Sequence, residues 1–359
     1  MINLELLSID WINSVSQKQH NADTILVEKA IRALLLVEGL AKQKVPFIFK
    51  GGTALMLLMN STKRLSIDVD IILPVIPADW EEILQTVSRQ QGFTHHKKQD
   101  RNTQTNIPKT HYKFFYTPIH RSFSAEESIL LDVLNEHINY QNVIQIPIDS
   151  LFVPVVSDPI LVSVPCLEDI LADKLTAFAP NTTGIPYFKE NVNMSMEIIK
   201  QLYDIGNLCD VVEDIEMIRT TFRKFATTEI FYRNLDSSNE DDVLEDIYQT
   251  ALCLSLRGAD GKGDFEKLQT GIHRVVRFIF SESYHLDKAI IHASKAAYLS
   301  ILIKSDKNRI EKYGDPGELT AWTIAAPMNT KLNRLKKSNP EAFYYWYKCS
   351  ELLGTSKLN

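Results

Sequence analysis

The period of the hydrophobic pattern changes near residue 155, and this change limits the chain to a fold of two parts. Before it, short apolar runs rich in β-branched residues alternate with amphipathic stretches, which is typical of interleaved strands and helices. After it, nearly every apolar stretch has the 3.6-residue spacing of a helix. We therefore predict an α+β protein, with a mixed-sheet domain at residues 1–155 and a helical domain at residues 156–359.

The predicted strands of the first part are short, and polar segments separate them. They are expected at residues 46–49, 66–73, 111–116, 128–134 and 160–164, with helices at 24–42, 53–59 and 79–91. The polar stretch 94–110 is predicted to be a loop, either a solvated connection or a basic flap that touches phosphates. Its basic residues are His95, His96, Lys97, Lys98, Arg101 and Lys109.

A glycine pair followed by two aspartates is the feature with the clearest chemical meaning. Gly51 and Gly52 follow one apolar run, and the next carries Asp68 and Asp70. Alternate residues of a strand share a face, so the two carboxylates should stand side by side and repel each other unless a cation lies between them. Carboxylate oxygens favour Mg²⁺ or Mn²⁺, and the bare backbone of a glycine turn suits a triphosphate. The pattern predicts a nucleotidyltransferase.

Asp132 is the predicted third carboxylate, because it interrupts the apolar run from Ile129 to Leu134. Burying a carboxylate without a partner is costly, so this residue needs an explanation. Polymerase-type chemistry with two metals uses a third carboxylate on a neighbouring strand, and we assign that role to Asp132. The alternative is a core or edge-strand carboxylate that its neighbours satisfy.

Composition narrows the class of protein further. The chain has 359 residues, of which 45% are hydrophobic and 23% charged, as in ordinary soluble domains. No apolar run approaches the ~20 residues that span a bilayer, the start lacks a secretory signal, and the four cysteines are scattered. We expect a cytoplasmic protein without a membrane partner. The net charge of −6 argues against a basic coat for nucleic acid, although a local basic patch remains compatible with it.

Two further segments have an ordinary and a functional interpretation. Lys174 and Asp204 lie in stretches with helical spacing, where most such residues are on the surface. Near the C-terminus, the basic run 331–337 precedes the aromatic run 343–347. That pair of runs predicts a solvated helix next to core aromatics, with an RNA-facing surface as the alternative.

Four ordered segments together resemble the AbiEii/AbiGii toxin family, bacterial nucleotidyltransferases of the DNA polymerase beta superfamily to which the MenT toxins are related. The resemblance covers roughly residues 45–210. Its segments are Lys50 to Leu55, Arg64 to Asp70, Glu168 to Leu175 and Leu202 to Ile205.

The resemblance implies a role for each matching residue. Gly51, Gly52 and Thr53 would hold the nucleotide phosphates with help from Ser66. Asp68 and Asp70 would bind Mg²⁺ or Mn²⁺. From the helical domain, Lys174 would contact the triphosphate and Asp204 would complete the active-site cleft.

The reaction implied is transfer of a nucleotide from a nucleoside triphosphate to an acceptor hydroxyl. The resemblance further implies a toxin–antitoxin pair that acts in abortive phage infection, with a separate antitoxin protein. RNA, such as the tRNA acceptor end, is the expected acceptor. Two alternatives stay open: transfer to a protein or small-molecule hydroxyl, and a nucleotide-binding regulatory module without turnover.

Overall fold

The computed structural model describes residues 1–59, 63–99, 108–120, 125–314, 316–354 and 356–358. The chain divides into two compact units: unit 1 contains residues 1–166 and 277–283, and unit 2 contains residues 167–276 and 284–359. The domain limits expected from the sequence, 1–155 and 156–359, stay predictions. Within the described residues, no helix has both the length and the apolar character that crossing a membrane requires.

Unit 1 is built on a mixed sheet of seven strands, as the alternating pattern predicts. The strands are β1 (Ile48–Lys50), β2 (Val69–Ile72), β3 (His95–Gln99), β4 (Lys109–Tyr116), β5 (Glu127–Leu134), β6 (Val143–Pro147) and β7 (Leu161–Pro165). Their order across the sheet is β3-β4-β5-β2-β1-β7-β6. The pairs β2/β5 and β1/β7 are parallel, and the other neighbours are antiparallel.

Helices cover one face of this sheet and create the core of unit 1. They are α1 (Ile9–Lys18), α2 (Thr24–Lys42), α3 (Gly51–Leu58) and α4 (Trp80–Gln90). On β4 and β5, the alternate residues Tyr112, Phe114, Ile129 and Leu131 are buried in the same core cluster as the apolar residues of α2. The intervening residues carry the polar side chains, including Asp132. The period of two thus separates a core face from a polar face.

A short return segment, residues 277–283, completes unit 1. The backbone N–H of Leu65 donates to the carbonyl oxygen of Phe278 at 2.8 Å, and Ser281 donates to the carbonyl of Lys63. The ring of Phe280 meets that of Phe152 edge to face. Unit 1 is therefore not one continuous stretch of sequence.

The prediction of a loop at 94–110 is wrong for part of that stretch. Residues His95–Gln99 form β3, an edge strand, and β4 already begins at Lys109. An edge strand that packs little apolar surface needs no hydrophobic alternation, and lysines on an edge discourage pairing with other chains. Residues 100–107, including Arg101, lie outside the described part of the chain.

Unit 2 is mainly helical, which confirms the helical periodicity of the second half. Its helices are α5 (Leu167–Ala177), α6 (Ser195–Cys209), α7 (Ile215–Tyr232), α8 (Glu240–Ser255), α9 (Phe265–Val275), α10 (Leu286–Lys304), α11 (Leu335–Ser338) and α12 (Pro340–Leu352). A small hairpin, β8/β9 (Phe188–Lys189, Val192–Asn193), accompanies them, together with an antiparallel pair of strands that are distant in sequence, β10/β11 (Trp322–Ile324, Ser356–Leu358). Asp214 and Asp264 accept hydrogen bonds from the first turns of α7 and α9, as N-terminal caps do.

The aromatic run near the C-terminus belongs to the core of unit 2. Phe343, Tyr345, Trp346 and Tyr347 are at most 1% exposed, and the indole of Trp346 donates to Ser255. Rings buried in this way cannot stack on a nucleobase. The alternative of an RNA-facing aromatic surface at this segment is therefore wrong.

Candidate functional site in unit 1

Three neighbouring strands place a lysine and two aspartates in one row of the sheet. In the register of the sheet, Lys50 is opposite Asp70, and Asp70 is opposite Asp132. Cross-strand partners have side chains on the same face, so both carboxylates lie on the polar face of the sheet. The Asp70 side chain is 30% exposed and that of Asp132 is 10% exposed. Asp68 is exposed and lies one residue before β2 begins.

The first turn of α3 comes unusually close to the carboxylate of Asp70. Gly51 has a φ of +80°, and a Cβ built on it would lie 2.5 Å from Oδ2 of Asp70. A Cβ on Gly52 would lie 2.6 Å from Oγ of Ser66 and 2.8 Å from Nη2 of Arg64. Side chains at either position would collide with their neighbours, which is a physical reason for the glycine pair.

The side chain of the N-cap residue caps none of the first backbone N–H groups of α3. The N-cap residue of α3 is Lys50, whose side chain makes no capping hydrogen bond. The hydroxyl of Thr53 points away from the helix backbone and donates to the carbonyl oxygen of Asp68 at 2.5 Å. The structure thus gathers Gly51, Gly52, Thr53, Ser66 and the two aspartates of the predicted motif around one helix N-terminus, which favours anions.

Replacing Gly51 by alanine is expected to lower both stability and activity. A left-handed backbone costs an L-residue about 1–2 kcal/mol, and the new methyl group would push on the Asp70 carboxylate. Urea denaturation would measure the loss of stability and nucleotide transfer the loss of activity. Gly314→Ala is the matched control, because nothing lies within 4 Å of a Cβ there. Equal behaviour of the two variants would contradict the close approach.

Lys109 and His111 on β4 belong to the same site, although the sequence pattern places Lys109 only in the loop or basic flap at 94–110 and does not single out His111. Nζ of Lys109 lies 2.5 Å from Asp132 Oδ2 and 4.0 Å from Asp70 Oδ1. Nδ1 of His111 lies 2.5 Å from Asp132 Oδ1. Burial by itself would raise the pKa of Asp132, but the hydrogen bonds and charges of His111 and Lys109 outweigh it and hold that pKa below its ordinary value.

Lys109 and His111 together contact both oxygens of Asp132, which explains how a carboxylate can be buried in an apolar strand. The satisfied-carboxylate alternative thus has support, and the metal-binding role of Asp132 stays a prediction. Over the described ranges, no group of three or more His, Cys, Asp or Glu residues is arranged to hold a metal ion. Asp68 and Asp70 supply hard oxygen donors beside the glycine turn, and this donor set fits a magnesium or manganese ion.

The other two predicted residues lie in unit 2 and contact each other. Lys174 on α5 and Asp204 on α6 form an ion pair of 2.9 Å, with side chains that are 8% and 3% exposed. The interpretation of both as helix-surface residues is therefore wrong. Asp169, also on α5, is fully buried, and its carboxylate accepts a short hydrogen bond from the hydroxyl of Thr221 on α7. Buried charges joined across neighbouring helices indicate a fixed arrangement.

The family comparison covers the part of the chain that contains these residues. The model of the family described as nucleotidyl transferase AbiEii toxin, type IV toxin–antitoxin system, matches residues 34–268, which is more than half of the chain. This range contains every residue assigned above. The chain belongs to the AbiEii nucleotidyltransferase toxin family. The resemblance noted from the four segments is confirmed.

Membership in the AbiEii family makes the chain a nucleotidyltransferase. The family implies a nucleoside triphosphate as substrate and an antitoxin as partner. No curated protein matches the chain.

Solved structures give a weaker likeness. The nucleotidyltransferase toxin MenT4 of Mycobacterium tuberculosis has 12% identity and a TM-score of 0.48, with 80% of this chain and 89% of that chain covered. JHP933 of Helicobacter pylori has 14% identity and a TM-score of 0.40, with 83% and 93% covered. Because these scores are low, the assignment of activity depends on the family match.

Proposed function

We propose that the chain transfers a nucleoside monophosphate from a nucleoside triphosphate to a hydroxyl of an RNA acceptor, such as the acceptor end of tRNA. The observation that carries this proposal is the close approach of the glycine turn to the carboxylate of Asp70. The first turn of α3 could not approach Asp70 and Ser66 so closely with any larger residue at positions 51 and 52. A phosphate chain and an acidic pair would then meet at one place, as nucleotidyl transfer requires.

Each residue has a defined task in this proposal. The backbone amides of Gly51 and Gly52, with the hydroxyl of Ser66, bind the phosphates at the positive end of α3. Thr53, predicted for the same task, instead holds the turn against Asp68 through its hydrogen bond to the carbonyl oxygen of that residue. Asp68 and Asp70 hold the divalent cation. When bound, Mg²⁺ or Mn²⁺ neutralises phosphate charge and promotes ionisation of the acceptor hydroxyl.

The transfer itself follows from positioning. The acceptor oxygen attacks the α-phosphorus and forms a new P–O bond, while the bond to the bridging oxygen breaks and pyrophosphate leaves with its electron pair. We assign to Lys174 a contact with the triphosphate, and to Asp204 the task of fixing the lysine ammonium. From the sequence, Asp132 is assigned as the third metal ligand. In the structure its carboxylate also holds the ammonium group of Lys109 beside Asp70.

In the cell, this activity would be that of a toxin whose antitoxin restrains it, acting in abortive infection against phage. The family description supports the toxin and antitoxin parts of this proposal. An uncontrolled enzyme that modifies RNA ends would stop translation in an infected cell.

Acceptor identity is tested by where the label from an α-labelled triphosphate appears. The enzyme is incubated in parallel with total RNA, lysate protein and small aminoglycoside-like acceptors. We expect labelled RNA, no transfer after EDTA treatment, and recovery on addition of Mg²⁺ or Mn²⁺. Label in protein or small molecules alone would overturn the RNA acceptor, and bound nucleotide without pyrophosphate release would favour a regulatory module.

A further inference from the structure

The sheet face that carries Asp70 and Asp132 continues over β4 and β3 to the edge of the sheet. The register pairs Phe115 with His95 and Lys113 with Lys97, and Lys113 is two residues from His111 on the same face. We call His95, Lys97, Lys113 and Phe115 the basic strip. It is a lateral extension of the candidate site and no part of the catalytic residues assigned above.

The outer end of the basic strip is a pair of parallel rings. The imidazole of His95 stacks on the ring of Phe115, with centroids 4.4 Å apart and planes 6° apart. The His95 side chain is 51% exposed, and its Nδ1 lies 3.1 Å from Thr94 Oγ1 and 3.6 Å from Glu126 Oε1. Flat rings that are accessible on a sheet are the surfaces on which proteins stack unpaired bases.

The inner part of the basic strip is a pair of like charges. Lys97 and Lys113 are direct cross-strand partners, and like charges in that position destabilise a sheet. Neither lysine forms a salt bridge to any residue in the part of the chain that the structure describes. Two adjacent lysines that form no salt bridge within the described residues, on a chain of net charge −6, favour an external anion.

The alternate residues of β3, His96 and Lys98, lie on the opposite face of the sheet, next to α4. His96 contacts Ser88 and Glu81 of α4 and stacks on Phe114. Lys98 pairs with Tyr112 in the register and thus lies on the side of the sheet that α4 covers. Adjacent lysines of β3 therefore lie on opposite faces, and only Lys97 shares a face with Asp70.

The spacing of the sheet relates the basic strip to the catalytic carboxylates. With strands ~4.8 Å apart and ~3.4 Å per residue, Lys113 is about 12 Å from Asp70 and His95 about 20 Å from it. A short single strand can extend over this distance with its terminal hydroxyl at the carboxylates. From the stacking pair, the charge and this continuity, we infer that the basic strip binds the single-stranded 3′ end of the RNA acceptor.

This inference rests on the proposed function, and binding without triphosphate tests it separately. The probe is a fluorescent single-stranded RNA of about 12 nucleotides, bound to the full chain at several salt concentrations. For Lys97→Glu/Lys113→Glu we expect at least about tenfold weaker binding and a salt slope that is smaller by about 1.4, as expected for two lost phosphate contacts. Phe115→Ala should weaken binding at least about fivefold through lost stacking.

The matched control places the same charge change on the opposite side of the sheet. Lys98→Glu/Arg89→Glu alters two exposed residues of β3 and α4 and should leave RNA binding unchanged. Equal losses in both double variants, or none in either, would overturn the inference. A blunt RNA duplex that bound as tightly as the single strand would overturn it as well.

Two further measurements separate this inference from binding of an acidic protein and from the proposed function. If polyglutamate competes as well as single-stranded RNA, the strip binds an acidic protein and the inference is overturned. If the strip variants retain RNA binding while transfer to RNA proceeds, the proposed function stands and the inference fails. If RNA binding depends on the strip but no label reaches RNA, the inference stands and the proposed acceptor reaction fails.

Discussion

Replacing Asp70 by asparagine is expected to abolish nucleotide transfer while the fold is retained. Asparagine keeps the shape of the side chain but removes the charge that would hold a cation beside the glycine turn. Loss of one preorganised electrostatic group in an active site costs about 10²–10³-fold in rate, and a lost metal ligand should cost at least as much. Label transfer from an α-labelled triphosphate measures the rate, and a thermal melt reports the fold.

Asp68→Asn should show the same loss of transfer, since Asp68 is the other proposed ligand. Asp79→Asn is the control, because Asp79 is an exposed aspartate next to α4 whose side chain makes no capping hydrogen bond. Full transfer by both the Asp68 and the Asp70 variants would exclude the proposed metal site.

Replacing Lys174 by methionine is expected to cause the largest loss of stability. Its ammonium pairs with Asp204 at 2.9 Å, and both side chains are buried. Removing one partner leaves the other charge buried and uncompensated, which costs about 3–5 kcal/mol. Urea denaturation of the full chain would measure this change in the free energy of unfolding, with the unfolding of the helical unit 2 as the monitored signal.

The double variant Lys174→Met/Asp204→Leu separates stability from function. Two apolar side chains of similar volume should restore much of the stability, because no isolated charge remains. Transfer activity should stay absent, since Lys174 is proposed to contact the triphosphate. Restored activity together with restored stability would assign the pair a structural role alone.

The sequence predicts those features whose cause is local. The glycine pair, Asp68, Asp70 and the short helix between them lie within one stretch of about twenty residues, so hydrophobic period and turn chemistry suffice to place them. Asp132 is noticeable for a similar reason, as a charge inside an apolar run. The helical character of the second half follows from its period.

Features that depend on pairing between distant segments could not be found in this way. Lys109 and His111 meet Asp132 only because β4 and β5 pair in one particular register, and a shift of one residue would turn those side chains to the core face. The alternation of polar residues at positions 109, 111 and 113 is a signal that could have suggested a shared face. The Lys174–Asp204 pair requires the packing of α5 against α6, which no local pattern encodes.

The return segment has a consequence for synthesis of the protein. Residues 277–283 supply unit 1 with the backbone partner of Leu65 and the ring that meets Phe152. Domains commonly fold in order as the chain leaves the ribosome. Here the N-terminal unit cannot make its last contacts until α5 to α9 have already emerged. Unit 1 of this toxin therefore completes its fold only late in translation, and a prematurely terminated chain lacks part of it.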